Sequence, residues 1–302
     1  MSLVVVGSVA LDSVETPVGR RDDILGGAAS FFSVTASLLT KVSLVGVVGD
    51  DFPEAHVTLF REKGVDLTGL MRAPGKTFRW AGRYSADFAT RTTLDTQLNV
   101  FADWRPTLPP SYRAAEYVFL ANIHPTLQGR VLDEIARPKF VAMDTMNYWI
   151  EGTPVELRDT LKRVDALIIN EEEARMLAGA TNLLEAARGI RTLGPRILVV
   201  KRGEYGAVLF TEDDTFALPA YPLARVVDPT GAGDSFAGGF MGEIARRGAS
   251  DADALRSAVA MGTVTGSFSV EDFGLDRVRT LGANELFSRR RALATLVRIP
   301  EL

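Results

Sequence analysis

The stretch DPTGAGDSFAGGF, Asp228 to Phe240, carries residue types at a spacing suited to chemistry on an anion. Gly231, Ala232 and Gly233 let the backbone come close to a ligand, and a helical pattern opens directly after them. Phe236, Phe240 and Ile244 then fall on one helix face. Arg246 and Arg247 suit the negative end of the helix dipole, and Gly248 suits a left-handed stop. With the apolar approach Ala224 to Val227 ahead of it, the segment reads as a strand-to-helix turn. A helix start leaves N–H groups unpaired and carries partial positive charge, so it holds anions, phosphate above all. Asp234 aims a carboxylate at the same place. There it could take a proton from an attacking hydroxyl; its plainer role is to stabilise the helix start.

Short apolar runs recur along the chain and must build the frame for this turn: Leu3–Val6, Val42–Val48, Tyr117–Leu120, Phe140–Met143, Ala166–Ile169 and Ile197–Val200. They do not alternate with polar residues, as strands buried on both faces of a parallel sheet would not. Helical patterns lie between them. Asp51 and Glu54 read as a capping box ahead of Ala55–Lys63, with Gly64 as its stop. Glu171–Ala178 ends at Gly179 in the same style, and Ser30–Leu39 follows the pair Gly26-Gly27. The expected fold class is α/β, a three-layer αβα, doubly wound and mostly parallel sheet. Ser13–Asp23 and Thr77–Val100 break the alternation and read as antiparallel strands outside the main sheet. We expect one domain, residues 1–302, with a small β lid formed by about 12–24 and 76–100, over the edge where open α/β sheets bind ligands. The lid aromatics Phe78, Trp80, Tyr84 and Phe88 serve substrate contact, lid packing or a homodimer contact through the lid.

Composition excludes several classes. At 302 residues, 46% hydrophobic and 24% charged, the chain is an ordinary globular protein. Its net charge of -4 argues against a nucleic-acid partner, and the run Arg289-Arg290-Arg291 reads as a solvated helix face. With no cysteine there is no disulfide, thiolate metal site or cysteine nucleophile, which suits a cytoplasmic location. No apolar run is long enough to cross a bilayer, so no membrane partner is expected. His56 and His124 lie far apart and read as packed or surface residues.

The stretch Asp228–Phe240 resembles the C-terminal signature of the ribokinase-like (PfkB) carbohydrate kinases, with every defining position present. The resemblance implies that Asp234 is the catalytic base and that Gly231, Ala232 and Gly233 form the anion hole. It places Asp12, Gly26 and Gly27 on the hydroxyls of the phosphoryl acceptor, with Asn99 grouped beside them. Asn170 and Glu173 match the family's N-x-x-E motif, tied to magnesium and phosphate. Lys201, Gly203 and Gly206 match the turn that contacts nucleotide phosphates, although Lys201 stands where the family has Thr or Ser. Gly262 falls in the region that holds the adenine ring. Ser30, Phe31 and Phe32 occupy the place where sugar-kinase members often carry Asn, and Asp144 stays unassigned because Asp-Thr-Met-Asn is displaced by one from the family's Asp-Pro-Asn.

The implied activity is ATP-dependent phosphorylation of an alcohol group of a sugar or sugar derivative. ATP and Mg²⁺ are the implied cofactors, with room for a monovalent cation. One alternative is a nucleoside kinase of the same family, with Trp80, Tyr84, Phe31 and Phe32 stacking a base. The other is a ligand-binding protein that has lost catalysis. A Walker run and a dinucleotide glycine motif after the first strand are both absent.

Overall fold

A computed structural model describes residues 2–298. Its strands are β1 (Ser2–Val6), β2 (Ala10–Thr16), β3 (Gly19–Gly26), β4 (Lys41–Val48), β5 (Asp66–Arg72), β6 (Phe78–Tyr84), β7 (Arg91–Gln97), β8 (Tyr117–Leu120), β9 (Phe140–Met143), β10 (Ala166–Asn170), β11 (Ile197–Lys201), β12 (Ala207–Phe210) and β13 (Thr215–Leu218). The apolar runs of the sequence become six neighbouring strands, β11-β10-β9-β8-β1-β4, all parallel. Their lack of alternation follows from burial on both sides. Leu3 and Val5 enter one apolar cluster with the helices Ala28–Ala36 and Ala232–Arg247, while Val4 and Val6 enter a second on the opposite face. Beyond this core, β5 adds a parallel edge and β12 and β13 add an antiparallel one.

A second sheet, in the order β3-β2-β6-β7, forms the lid. It is mixed rather than purely antiparallel: β2 and β6 pair in parallel between two antiparallel hairpins. The reason is topological. Both β2 and β6 follow a strand of the parallel sheet, so both leave its carboxyl edge in the same direction.

Three local expectations are corrected. Asp51 does not cap the helix Glu54–Glu62; its carboxylate accepts from Thr77 N–H and Thr77 Oγ1, each at 2.7 Å, and from Arg79 at 2.9 Å, tying down the stem of the lid. The approach Ala224 to Val227 is not a strand; Val227 N–H donates to Val270 O instead. The arginine run is not wholly solvated. Arg289 stacks on the Phe268 ring at 3.4 Å and pairs with Glu271, and Arg290 donates to Ser257. Among the described residues, no helix is long and apolar enough to cross a membrane.

Candidate active site

Three neighbouring strands deliver three polar residues to one edge. Asp144 follows β9, and Asn170 and Lys201 end β10 and β11, where they are register partners. Opposite them stands the start of the helix Ala232–Arg247. Gly231, its N-cap, has φ of 71°, and a Cβ there would lie 2.4 Å from the Phe31 ring, so glycine is required twice over. The loop before it is tied by the fully buried Asp228, whose two oxygens accept from Thr230 N–H at 2.9 Å and Gly274 N–H at 3.0 Å. Ala232 N–H turns back to Pro229 O at 3.2 Å. Among the described residues, Gly231 and Gly233 N–H have no backbone acceptor, so both donors stay open at the helix start.

Asp234 sits in the first turn of this helix. Burial raises its pKa, and Lys201 and then Arg91 pull it back down. The Lys201 side chain is 18% exposed, with Nζ 3.9 Å from Asp144 Oδ2, and it packs against Gly233, where a Cβ would lie 2.8 Å from Nζ. Asp144 is the least satisfied group here. Burial lifts its pKa well above the usual carboxylate range against the pull of Lys201, and Oδ1 has no hydrogen-bond partner. A buried acceptor with no donor marks a place shaped for something else to fill.

Asn170 and Glu173 come together, in a true capping box. Asn170 Oδ1 accepts from Glu173 N–H and Glu173 Oε2 accepts from Asn170 N–H, both at 2.8 Å. Burial raises the pKa of Glu173, opposed mainly by Lys201. Only one Glu173 oxygen is left free by the cap. Among the described residues, no cluster of three or more His, Asp or Glu could hold a metal by itself.

Asp12 lies on the other side of the cleft, in β2. Its carboxylate rests on Gly26, where a Cβ would come within 1.9 Å of Oδ2. Gly27, with φ of 89°, caps the helix Ala28–Ala36. Burial pushes Asp12 up to about 7 although Gly27 N–H donates to it, and the charges of Asp228 and Asp234 add to the rise. Asp12 and Asp234 thus face one cleft.

The other candidates divide. Gly206 has φ of 92° and no space for a Cβ, which would lie 2.0 Å from Leu218 O; Gly203, with φ of 56°, faces open space. Gly262 packs against Phe236, 2.8 Å from its carbonyl oxygen to a Cβ position, so close helix packing already explains it. Asn99 donates to Thr77 O at 2.9 Å and lines a cavity of about 520 Å³ with Lys76, Trp104 and Arg105 at the stem of the lid. Phe31 and Phe32 present no exposed ring face. Both are fully buried, Phe31 beneath Gly231 and Phe32 stacked on Phe119 at 4.4 Å.

Sequence reasoning missed Arg91. It begins β7, opposite Tyr84 of β6, and its guanidinium lies 5.5 Å from the Trp80 ring centroid. The Tyr84 hydroxyl in turn takes a hydrogen bond from Thr230 Oγ1 at 3.3 Å, so the lid touches the loop that leads into Gly231. An exposed arginine in a threonine-rich strand has no periodic signal to mark it. Asp228 lay within the quoted stretch, and its Asp-Pro-Thr-Gly context signals the turn it holds.

The pfkB family carbohydrate kinase model matches residues 2–276. The chain belongs to the pfkB family of carbohydrate kinases. It is 33% identical over 254 residues to a cytidine kinase from Thermococcus kodakarensis, covering 82% of this chain and 89% of that one. It is 31% identical over 271 residues to a fructokinase from Klebsiella pneumoniae, covering 82% and 85%. Its fold matches the crystal structure of the Methanocaldococcus jannaschii nucleoside kinase, an archaeal member of the ribokinase family, with a TM-score of 0.77 at 20% identity, covering 96% of this chain and 98% of that one. The ribokinase-like fold expected from the sequence is therefore the fold found. As a member of this family the chain is a kinase, and its relatives phosphorylate sugars or nucleosides.

Proposed function

We propose that this kinase transfers the γ-phosphoryl group of ATP to a hydroxyl of a nucleoside. The observation that carries the acceptor class is the inner face of the lid. Asp12 and Trp80 are register partners in β2 and β6 and so point to the same side. The Trp80 ring edge reaches over Gly82, where a Cβ would be 2.1 Å from it, and Trp80 Nε1 donates to Thr93 Oγ1. A flat aromatic plate beside the carboxylate that would hold ribose hydroxyls suits a substrate with a base attached to its sugar.

In the reaction, Asp12 accepts hydrogen bonds from the sugar hydroxyls. Asp234 takes the proton of the attacking hydroxyl as that oxygen bonds to phosphorus and the bond from phosphorus to ADP breaks. Gly231 and Gly233 N–H groups and the Lys201 ammonium stabilise the negative charge on the phosphoryl oxygens. The unsatisfied Asp144 oxygen and the free Glu173 oxygen fit a hydrated Mg²⁺, which would neutralise phosphate charge when bound. The residues leave a role for Lys201 that a hydroxyl side chain would not fill, that of a point charge.

A second reading, a free sugar as acceptor, is favoured by the likeness to the fructokinase. A coupled ADP-release assay with Mg-ATP separates the two. We expect turnover with nucleosides, with kcat/KM at least tenfold above that for free ribose or fructose. Turnover confined to free sugars would reverse the assignment, and Trp80 would then serve packing alone.

A further inference from the structure

A second cavity, of about 300 Å³, opens where β13 meets the helices Ala252–Ser269 and Ala283–Leu296. Leu218, Ala260, Leu293 and Val297 give it an apolar wall, and Phe216 adds a ring with the Arg256 guanidinium 5.5 Å from its centroid. Arg247, Arg256 and Arg290 line it as well, with Asp253 as the one acidic residue. Arg247 ends the helix whose first turn holds Asp234, about 20 Å away along the helix axis, so this cavity is separate from the phosphoryl site.

One buried carboxylate holds two of these arginines. Glu243 accepts from Arg247 Nε at 2.8 Å and from Ser257 Oγ at 2.7 Å, and Ser257 Oγ in turn accepts from Arg290 at 2.6 Å. Both forks are thereby positioned in advance, which lowers the cost of ordering them around a ligand. The opposing charge is small. Arg246 and Arg247 share the single charge of Glu243, while Asp214 takes Arg256 in a two-pronged pair with both contacts at 2.9 Å. Among the described residues, Arg290 makes no ion pair, and its Nε has no acceptor. The adjacent Arg289 shows the contrast: it stacks on Phe268 and pairs with Glu271, so its donors are already used. Uncommitted guanidinium donors beside an apolar wall suit a ligand with an anionic head and an apolar body.

We propose that this cavity is a second anion site, which binds a small phosphomonoester. The fork of Arg290 and the terminal nitrogens of Arg247, which make no hydrogen bond among the described residues, meet the phosphate oxygens. Phe216, Leu218 and Leu293 cover the body of the ester. Inorganic phosphate would leave that wall in water, so organic esters bind more tightly. The cavity lies at the small end of ligand pockets, which run from about 300 to 1,000 Å³, and so suits a monophosphate better than ATP. The esters that a sugar or nucleoside kinase releases belong to this class. The assignment does not depend on which acceptor the enzyme uses.

The test is titration calorimetry of the full chain with cytidine monophosphate, ribose phosphate and inorganic phosphate, in a saturating non-hydrolysable ATP analogue. Wild type, Arg290→Ala and Ala260→Phe are compared, with thermal midpoints without ligand as the control for folding. Ala260→Phe fills the cavity and alters no charge, so it tests the site even where Arg290→Ala is unstable. We expect wild type to bind at least one ester more tightly than inorganic phosphate, and each variant to weaken that binding by about tenfold or more. The tighter ester shows whether the site takes a nucleotide or a sugar phosphate. Turnover of both variants should stay within about twofold of wild type, because neither residue is near Asp234. Ester binding that survives both variants belongs to the catalytic cleft and would overturn the assignment. So would wild-type binding of inorganic phosphate alone, or of none of the three.

Discussion

The helix Ala232–Arg247 carries a carboxylate near each end, and the two are treated in opposite ways. Glu243, near the C-terminus, is fully buried. Burial alone would raise its pKa, yet Arg246, Arg247 and Ser257 all bond to it and bring it to about 2. Both carboxylate oxygens have donors, and the group is finished. At the N-terminus, burial raises the pKa of Asp234, and its neighbours Asp144 and Glu173 are raised for the same reason. Lys201 is the main compensating charge for all three, and it cannot satisfy them together. One end spends its charges on the fold; the other holds them in reserve, which is what a site for a proton and an anion needs.

The sharpest way to break this contrast is at Lys201. Lys201→Met should lower kcat/KM for ATP by about 10²-fold, since a charge-assisted contact is lost where phosphate charge collects. Lys201 also lowers the pKa of Asp234, so its loss should move the acid limb of the pH profile to higher pH. An unmoved limb would separate Lys201 from the base. Gly231→Ala comes next. It forces a side chain to φ of 71° and against the Phe31 ring, and should cost about 2 kcal/mol in denaturant unfolding as well as activity. Retained stability would mean that the loop can shift away from Phe31.

The smallest effect tests the reserve itself. Asp12 holds its proton up to about pH 7 in the fold, against an ordinary value of 3.8. Folded chain thus binds the extra proton between those values, and stability falls as pH rises through that window. Asp12→Asn removes this dependence. Its gain should appear above about pH 7 and vanish below about pH 4, while KM for the acceptor rises. Thermal melts across pH measure the first and acceptor kinetics the second; equal melting curves at high pH would show that Asp12 carries no strain.

Much of this was legible in the sequence. The six central strands were, because burial on both faces writes continuous apolar runs. The short turn DPTGAGD was, because glycine and aspartate requirements there are local. The edge strands β5, β12 and β13 were not, since half-exposed or very short segments such as Asp66–Arg72 carry no periodic signature. Asp51 misled because its capping partner is 26 residues away in Thr77, and a local motif cannot reveal a distant donor. Arg91 escaped for the same reason: its place opposite Tyr84 and against the Trp80 ring is set by strand pairing that only the folded lid displays. Phe31 and Phe32 read as base-stacking residues from their place beside the glycine pair, and became the floor beneath Gly231 and the helix core instead.

The two carboxylates of one helix give the most direct test. Asp234→Asn and Glu243→Gln should be measured side by side for kcat with the active acceptor and for thermal midpoint. The account expects Asp234→Asn to lose about 10³-fold in kcat with an equal or higher midpoint, and Glu243→Gln to lose about 2 kcal/mol of stability with kcat little changed. An Asp234→Asn enzyme within tenfold of wild type would contradict it, because the reserved carboxylate would then have no chemistry to do.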